Sequence, residues 1–117
     1  MEMNYYQTAA LVSAIYPNRG KNILYPALKL AGEVGEVTEK LGKFVRDSQI
    51  EDLNDLAKGF SDEFKMALVK ELGDVLWYIA ALSNELGVDL NTVAEKNIEK
   101  LSARVKNNTL TGSGDDR

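Results

Sequence analysis

The chain has no cysteine and no histidine in its 117 residues. Without cysteine there is no disulfide and no thiolate metal site. Without histidine there is no Ser-His-Asp triad, no Cys-His dyad, no histidine-ligated zinc and no Glu-x-x-His ligand of the di-iron bundles. Any resident metal must be held by oxygen, which points to Mg²⁺, Mn²⁺ or Ca²⁺. No uninterrupted apolar run approaches the roughly 18 residues that mark a membrane-spanning helix. The opening MEMNYYQTAA lacks the basic region and apolar run of a signal peptide, so the expectation is a cytoplasmic protein with no membrane partner. Positive charge is also scarce: 14 Lys and Arg stand against 18 Asp and Glu, net −4, which argues against a nucleic-acid partner. A mildly acidic protein that handles polyanions must supply the missing charge as metal ions or as locally placed cations.

What is present is an ordinary globular balance, 44% hydrophobic and 27% charged, in a length that suits one domain. The spacing predicts four helices and no strand. Residues 4–16 form the first, with Tyr5, Ala9, Val12 and Tyr16 as its apolar stripe; Pro17 and the Asn18-Arg19-Gly20 turn end it. Pro26 suits the first turn of a second helix that runs to about Arg46, with stripe Leu30, Val34, Val37, Leu41, Phe44 and Val45. Residues 47–61 read as a long loop or a short helix around Leu53–Ala57. A third helix runs from about Asp62 to Leu86, capped by Ser61 or Asp62 and closed by Gly87 in a left-handed position. Its segment 75–82 is apolar on every side, which calls for neighbours on several faces, some of them from another subunit. Asp89 caps a fourth helix through about Lys106, with stripe Leu90, Val93, Ala94, Leu101 and Val105. The expected division is a helical domain over residues 1–112 and a flexible polar tail over 113–117.

The chemistry is carried by two acidic pairs, Glu33-x-x-Glu36 on the second helix and Glu71-x-x-Asp74 on the third. Residues three apart share one helix face. Glu71 falls inside the stripe of Phe64, Leu68, Val75, Ile79 and Leu82, with Asp74 and Tyr78 flanking it. A carboxylate within an apolar stripe is costly unless paired or bound to a cation, and four converging carboxylates need a cation among them. Taken alone, Glu33 and Glu36 read more readily as a solvated surface pair than as ligands. Gly32, Gly35 and Gly73 beside these acids suggest close approach of a helix or ligand, or else loose packing. Asn97 lies on the inward row of the fourth helix, with Lys100 and Arg104 on adjoining rows; an amide and two cations suit a triphosphate, although solvated cations explain them too. Lys40 and Lys43 read both as contributors and as a solvated face. Tyr5, Tyr16, Trp77 and above all Tyr78 are candidates for stacking on a base, or are core.

The runs YPALKLAGEVGEVTEKLGKF, KELGDVLWYIAALSNELGVDL and EKNIEKLSAR resemble the MazG-type nucleotide pyrophosphohydrolases of the all-alpha NTP pyrophosphatase superfamily. The likeness extends over roughly residues 4–112, and the opening YYQTAALVSAIYP is similar to that of single-domain members. The resemblance implies an all-α fold with a four-helix core, assembled as a homodimer or homotetramer, a dimer of dimers. It implies that Glu33, Glu36, Glu71 and Asp74 bind Mg²⁺, with Mn²⁺ able to substitute. It further implies that Asn97 and Lys100 contact phosphate or sugar. The spacer Val37 to Lys70 is longer than in compact members, so residues 47–61 are candidates for a flap or subunit contact.

The resulting expectation is a hydrolase that converts a (d)NTP and water to a (d)NMP and pyrophosphate, with a guanine base favoured. Glu36 and Glu71 are its catalytic candidates, Glu36 as proton acceptor, and Asn97, Lys100, Tyr78, Lys43 and Arg104 its substrate contacts. The rivals are a pyrophosphohydrolase of dUTP, dCTP or phosphoribosyl-ATP, and a non-catalytic helical oligomer.

Overall fold

Two long antiparallel helices form the axis of the protein, seen in a computed structural model that describes the backbone of residues 1–117 and every side chain but that of Leu53. The order is α1 (Met3–Ala10), a 3₁₀ turn (Leu11–Ser13), α2 (Leu24–Ser48), a 3₁₀ segment (Leu53–Gly59), α3 (Asp62–Glu85) and α4 (Leu90–Lys106). There is no strand among the described residues.

The local chemistry at each helix end matches the residue types there. Ser61 accepts from the Phe64 amide at 3.0 Å and starts α3; Asp89 does the same for α4 through Thr92 at 2.8 Å. Gly87 takes φ +72°, the left-handed geometry that closes α3. Asn22 receives the Tyr25 amide at the start of α2, and Gln49 ends that helix with φ 56°.

The register of the α2–α3 pair is fixed by aromatic contacts at both ends. Phe44 meets Phe64 at 4.9 Å and Phe60 at 4.8 Å near the connection, while Tyr25 faces Tyr78 at 6.3 Å at the far end. The stripe Phe64, Leu68, Val75, Ile79 and Leu82 is half-buried, with Glu71 in line with it.

The first helix departs from its expected course. It is regular only to Ala10, and the expected stripe is not the buried one: Tyr5 is 64% and Val12 81% exposed. Gln7, Leu11, Ala14 and Tyr16 are buried instead. Gln7 decides the facing. Its amide nitrogen donates to the carbonyls of Ala80 and Val88, and its oxygen accepts from the Leu90 amide, so one side chain joins α1, the end of α3 and the start of α4. A buried polar group that satisfies three backbone groups outweighs the apolar pattern of a short helix.

Leu11, Ala14, Tyr16 and Ala81 form the buried core at this end, with Tyr25 and Trp77 packed on it. Elsewhere apolar surface lies open: Met66, Val69, Leu72 and Leu76 on α3, and Ile98, Leu101 and Val105 on α4, are all at least one-third exposed. The radius of gyration is 17.5 Å, against roughly 13 Å for a compact domain of about 100 residues. Gly32, Gly35 and Gly73 do not mark close approach within the chain, since a methyl group at each meets open space.

Candidate metal centre and its cavity

Midway along the α2–α3 pair, three carboxylates converge. Glu33 from α2 and Glu71 and Asp74 from α3 each present an oxygen, all within 4.8 Å of one another. Antiparallel packing sets Glu33 opposite the acidic pair, and the three-residue spacing keeps Glu71 and Asp74 on one face. Glu33 and Glu71 are half-buried and Asp74 is exposed. A charge-dense, oxygen-only set that opens to solvent on one side suits a hard divalent cation with room for further oxygen ligands.

Glu36 lies outside this trio. It is exposed and is not among the acids whose oxygens lie within 4.8 Å of one another. A cation is already close to the trio: the Lys40 ammonium, two turns beyond Glu33, lies 3.5 Å from Glu71 Oε1.

Beside the acids is a cavity of about 620 Å³ lined by Ser13, Ile15, Tyr16, Tyr25, Glu33, Asp74, Trp77 and Tyr78. Tyr16 stacks on Tyr25 at 5.0 Å, and Trp77 meets Tyr78 edge-on at 4.8 Å. Most polar edges of these rings are committed. The Trp77 indole N–H donates to the Ala10 carbonyl and Ser13 Oγ, both at 3.0 Å. The Tyr16 hydroxyl donates to Glu85, which also receives the amides of Gly20 and Asn22 and so ties the connection before α2 to the end of α3. Burial and that hydrogen bond push the Tyr16 hydroxyl up to about 12. The Tyr78 hydroxyl is also pushed up to about 12, by burial, then by its hydrogen bond to Tyr25, then by the Tyr25, Glu33 and Asp74 charges. Tyr6 is raised by burial and by the Asp74 charge. These phenols are therefore protonated at neutral pH, and Tyr78 is a hydrogen-bond donor at the cavity wall.

Three of the four stacking candidates reach the cavity: Tyr16, Trp77 and Tyr78. Tyr5 does not line it. Ser13, Ile15 and Tyr25 were not legible as site residues. Ser13 closes a short 3₁₀ turn and Ile15 follows it on irregular backbone, and neither stretch carries a periodicity.

Apart from Lys40, the expected phosphate contacts stand away from the acids. Asn97, expected on the inward row of α4, is exposed, and with Lys100 it lines a separate cleft together with Val88, Thr92, Val93 and Lys96. The reason is that α4 packs through its start on α1 and α3 and leaves its later turns open. Lys100 pairs with Asp115 at 3.2 Å. Arg104 is buried and donates to the carbonyls of Gly114 and Asp115 at 3.2 Å. Lys43 pairs with Glu39 at 3.2 Å and lines a third hollow with Lys40, Phe44 and Phe64. Within one chain, none of these four shares the acid-lined cavity.

Known proteins give the same direction. The chain matches the family described as the MazG nucleotide pyrophosphohydrolase domain over residues 24–109. It is similar to the Gene 37 protein of Mycobacterium phage L5, at 38% identity over the full length of both chains. No solved structure matches it.

Proposed function

The chain belongs to the MazG nucleotide pyrophosphohydrolase family, and on that footing we propose that it is a Mg²⁺-dependent enzyme that hydrolyses a (d)NTP to the (d)NMP and pyrophosphate. The observation that carries this reading is the convergence of Glu33, Glu71 and Asp74 within 4.8 Å, at the edge of an aromatic cavity.

Glu33, Glu71 and Asp74 hold Mg²⁺ in this proposal. The donor set fits, being all carboxylate, with one member exposed so that phosphate and water can approach. When bound, Mg²⁺ neutralises phosphate charge and lowers the pKa of a coordinated water. The protein's own groups do the rest. The walls of Tyr16, Tyr25, Trp77 and Tyr78 take the nucleoside and exclude water from one side. Tyr78, protonated at neutral pH and hydrogen-bonded to Tyr25, exchanges that bond for one to a sugar or phosphate oxygen. Glu36, outside the trio and exposed, accepts the proton of the attacking water as the phosphoanhydride bond breaks and pyrophosphate leaves. Guanine is the proposed base, from the likeness to single-domain members of the family; dUTP, dCTP and phosphoribosyl-ATP are the alternatives to include in the assay.

We also propose a homodimer or a dimer of dimers. The open apolar rows on α3 and α4 and the expanded radius of gyration support it, because a lone chain leaves that surface wet. Assembly then offers Asn97 and Lys100 a route to the phosphates that one chain does not provide. Residues 1–112 are the proposed catalytic domain.

The test is pyrophosphate release from a panel of ribo- and deoxyribonucleoside triphosphates, with Mg²⁺ and with EDTA. Release that requires the metal and ranks one base first supports the reading. No release from any member of the panel rejects it.

A further inference from the structure

Lys40 makes the ion pair that joins α2 to α3 among the described residues; the other pairs lie within one element, between adjacent residues, or between α4 and the tail. It joins the two helices at a proposed cation ligand. Its geometry is loose. The Nζ–Oε1 separation is 3.5 Å, and the side chains are 38% and 20% exposed. A pair this long and this wet adds little to stability, so holding the helices together does not explain an ammonium at this position. Its location does. The aromatic cavity lies on one side of the three acids, towards the start of α2, and Lys40 and Lys43 lie on the other, towards its end. A nucleotide whose base enters the aromatic cavity and whose inner phosphate meets the acids directs its outer phosphates towards Lys40.

We propose that Lys40 is a cation shared in turn by the acid site and the leaving pyrophosphate. In the nucleotide-free enzyme its ammonium rests on Glu71 and weakens divalent-cation binding. When the triphosphate enters, the four-carbon stem lets the ammonium move to the outer phosphate oxygens, freeing Glu71 for the metal. Cation and polyphosphate therefore bind with positive coupling, and each raises the affinity for the other by the same factor. This rests on the metal and substrate reading above and adds to it a residue and a binding order.

The test measures binding rather than turnover. Free Mn²⁺ is titrated by electron paramagnetic resonance against the full-length protein, with and without inorganic pyrophosphate, for the parent, Lys40→Gln and Lys40→Arg. Without pyrophosphate, Lys40→Gln binds Mn²⁺ on the order of tenfold more tightly than the parent, because a repelling charge is removed. The gain in Mn²⁺ affinity caused by pyrophosphate shrinks by a similar factor, and Lys40→Arg stays close to the parent on both counts. Unchanged or weaker Mn²⁺ binding by Lys40→Gln, or undiminished coupling, overturns the proposal and leaves the proposed activity standing. A parent protein that binds no Mn²⁺ in either condition overturns the metal site itself, and this inference with it. Melting curves for the three proteins exclude misfolding as the cause.

Discussion

At Glu71 an apolar stripe and a carboxylate compete for one position, and the α2–α3 packing resolves the conflict by bringing Glu33, Asp74 and Lys40 to it. Removing that charge while keeping its shape separates chemistry from folding. Glu71→Gln is expected to lower metal-dependent turnover by on the order of 100-fold or more, since even residues that only orient a metal ligand cost 10–100-fold when lost. Its thermal midpoint without metal should not fall, because one of three crowded carboxylates is gone. Steady-state kinetics and calorimetry check the two halves. Glu85 is the second decisive residue. Its carboxyl is held below the ordinary value of 4.5 by the Tyr16 hydroxyl, then by the Gly20 amide, with a smaller pull from that of Asn22. A depressed carboxyl stabilises the fold above its unfolded value and loses that contribution as pH falls through the folded one. Melting scans should therefore show Glu85→Gln below the parent at pH 7, with the gap closing as pH drops below about 4.5.

At the scale of elements, capping residues and one buried amide hold the ends of the helices. Ser61→Ala removes the acceptor for the Phe64 amide and should cost about 1 kcal/mol. Gln7→Ala is expected to cost more, about 1–3 kcal/mol, because it leaves the Leu90 amide and two carbonyls without their buried partner. Denaturant titration of both variants ranks them. The order follows from what each side chain serves: Ser61 starts one helix, whereas Gln7 joins three. For the same reason α3 and α4 were legible in the sequence to within a residue or so, while α1 was not. A cap followed by a long stripe is local information. The facing of an eight-residue helix is set by partners more than 70 positions away.

For the whole molecule the controlling quantity is apolar surface that a single chain leaves open. Leu72 is 54% exposed and Leu76 36%, on the same helix as Glu71 and Asp74. If a second copy covers this face, Leu72→Glu with Leu76→Glu should convert the assembly to monomer. Sedimentation velocity would show that shift, while helical content by circular dichroism stays near that of the parent. Loss of activity in the same monomer would tie assembly to catalysis and give Asn97 and Lys100 their function in a neighbouring site. Retained activity would leave their cleft outside the reaction.

The sequence by itself determined that the protein is all-helical, that any metal has oxygen ligands, where the α3 and α4 caps fall, and that Glu33, Glu36, Glu71 and Asp74 are the acids to examine. These follow from residue type and spacing, which act over a few positions. Only the tertiary structure decided that Glu33, Glu71 and Asp74 converge without Glu36, that Lys40 rests on Glu71, and that the N-terminal segment supplies Ser13 and Tyr16 to the cavity. It also decided that Asn97 and Arg104 do not reach the acids within one chain. Each of these depends on the register between two helices or on a contact between distant segments, and neither leaves a periodic trace in the chain.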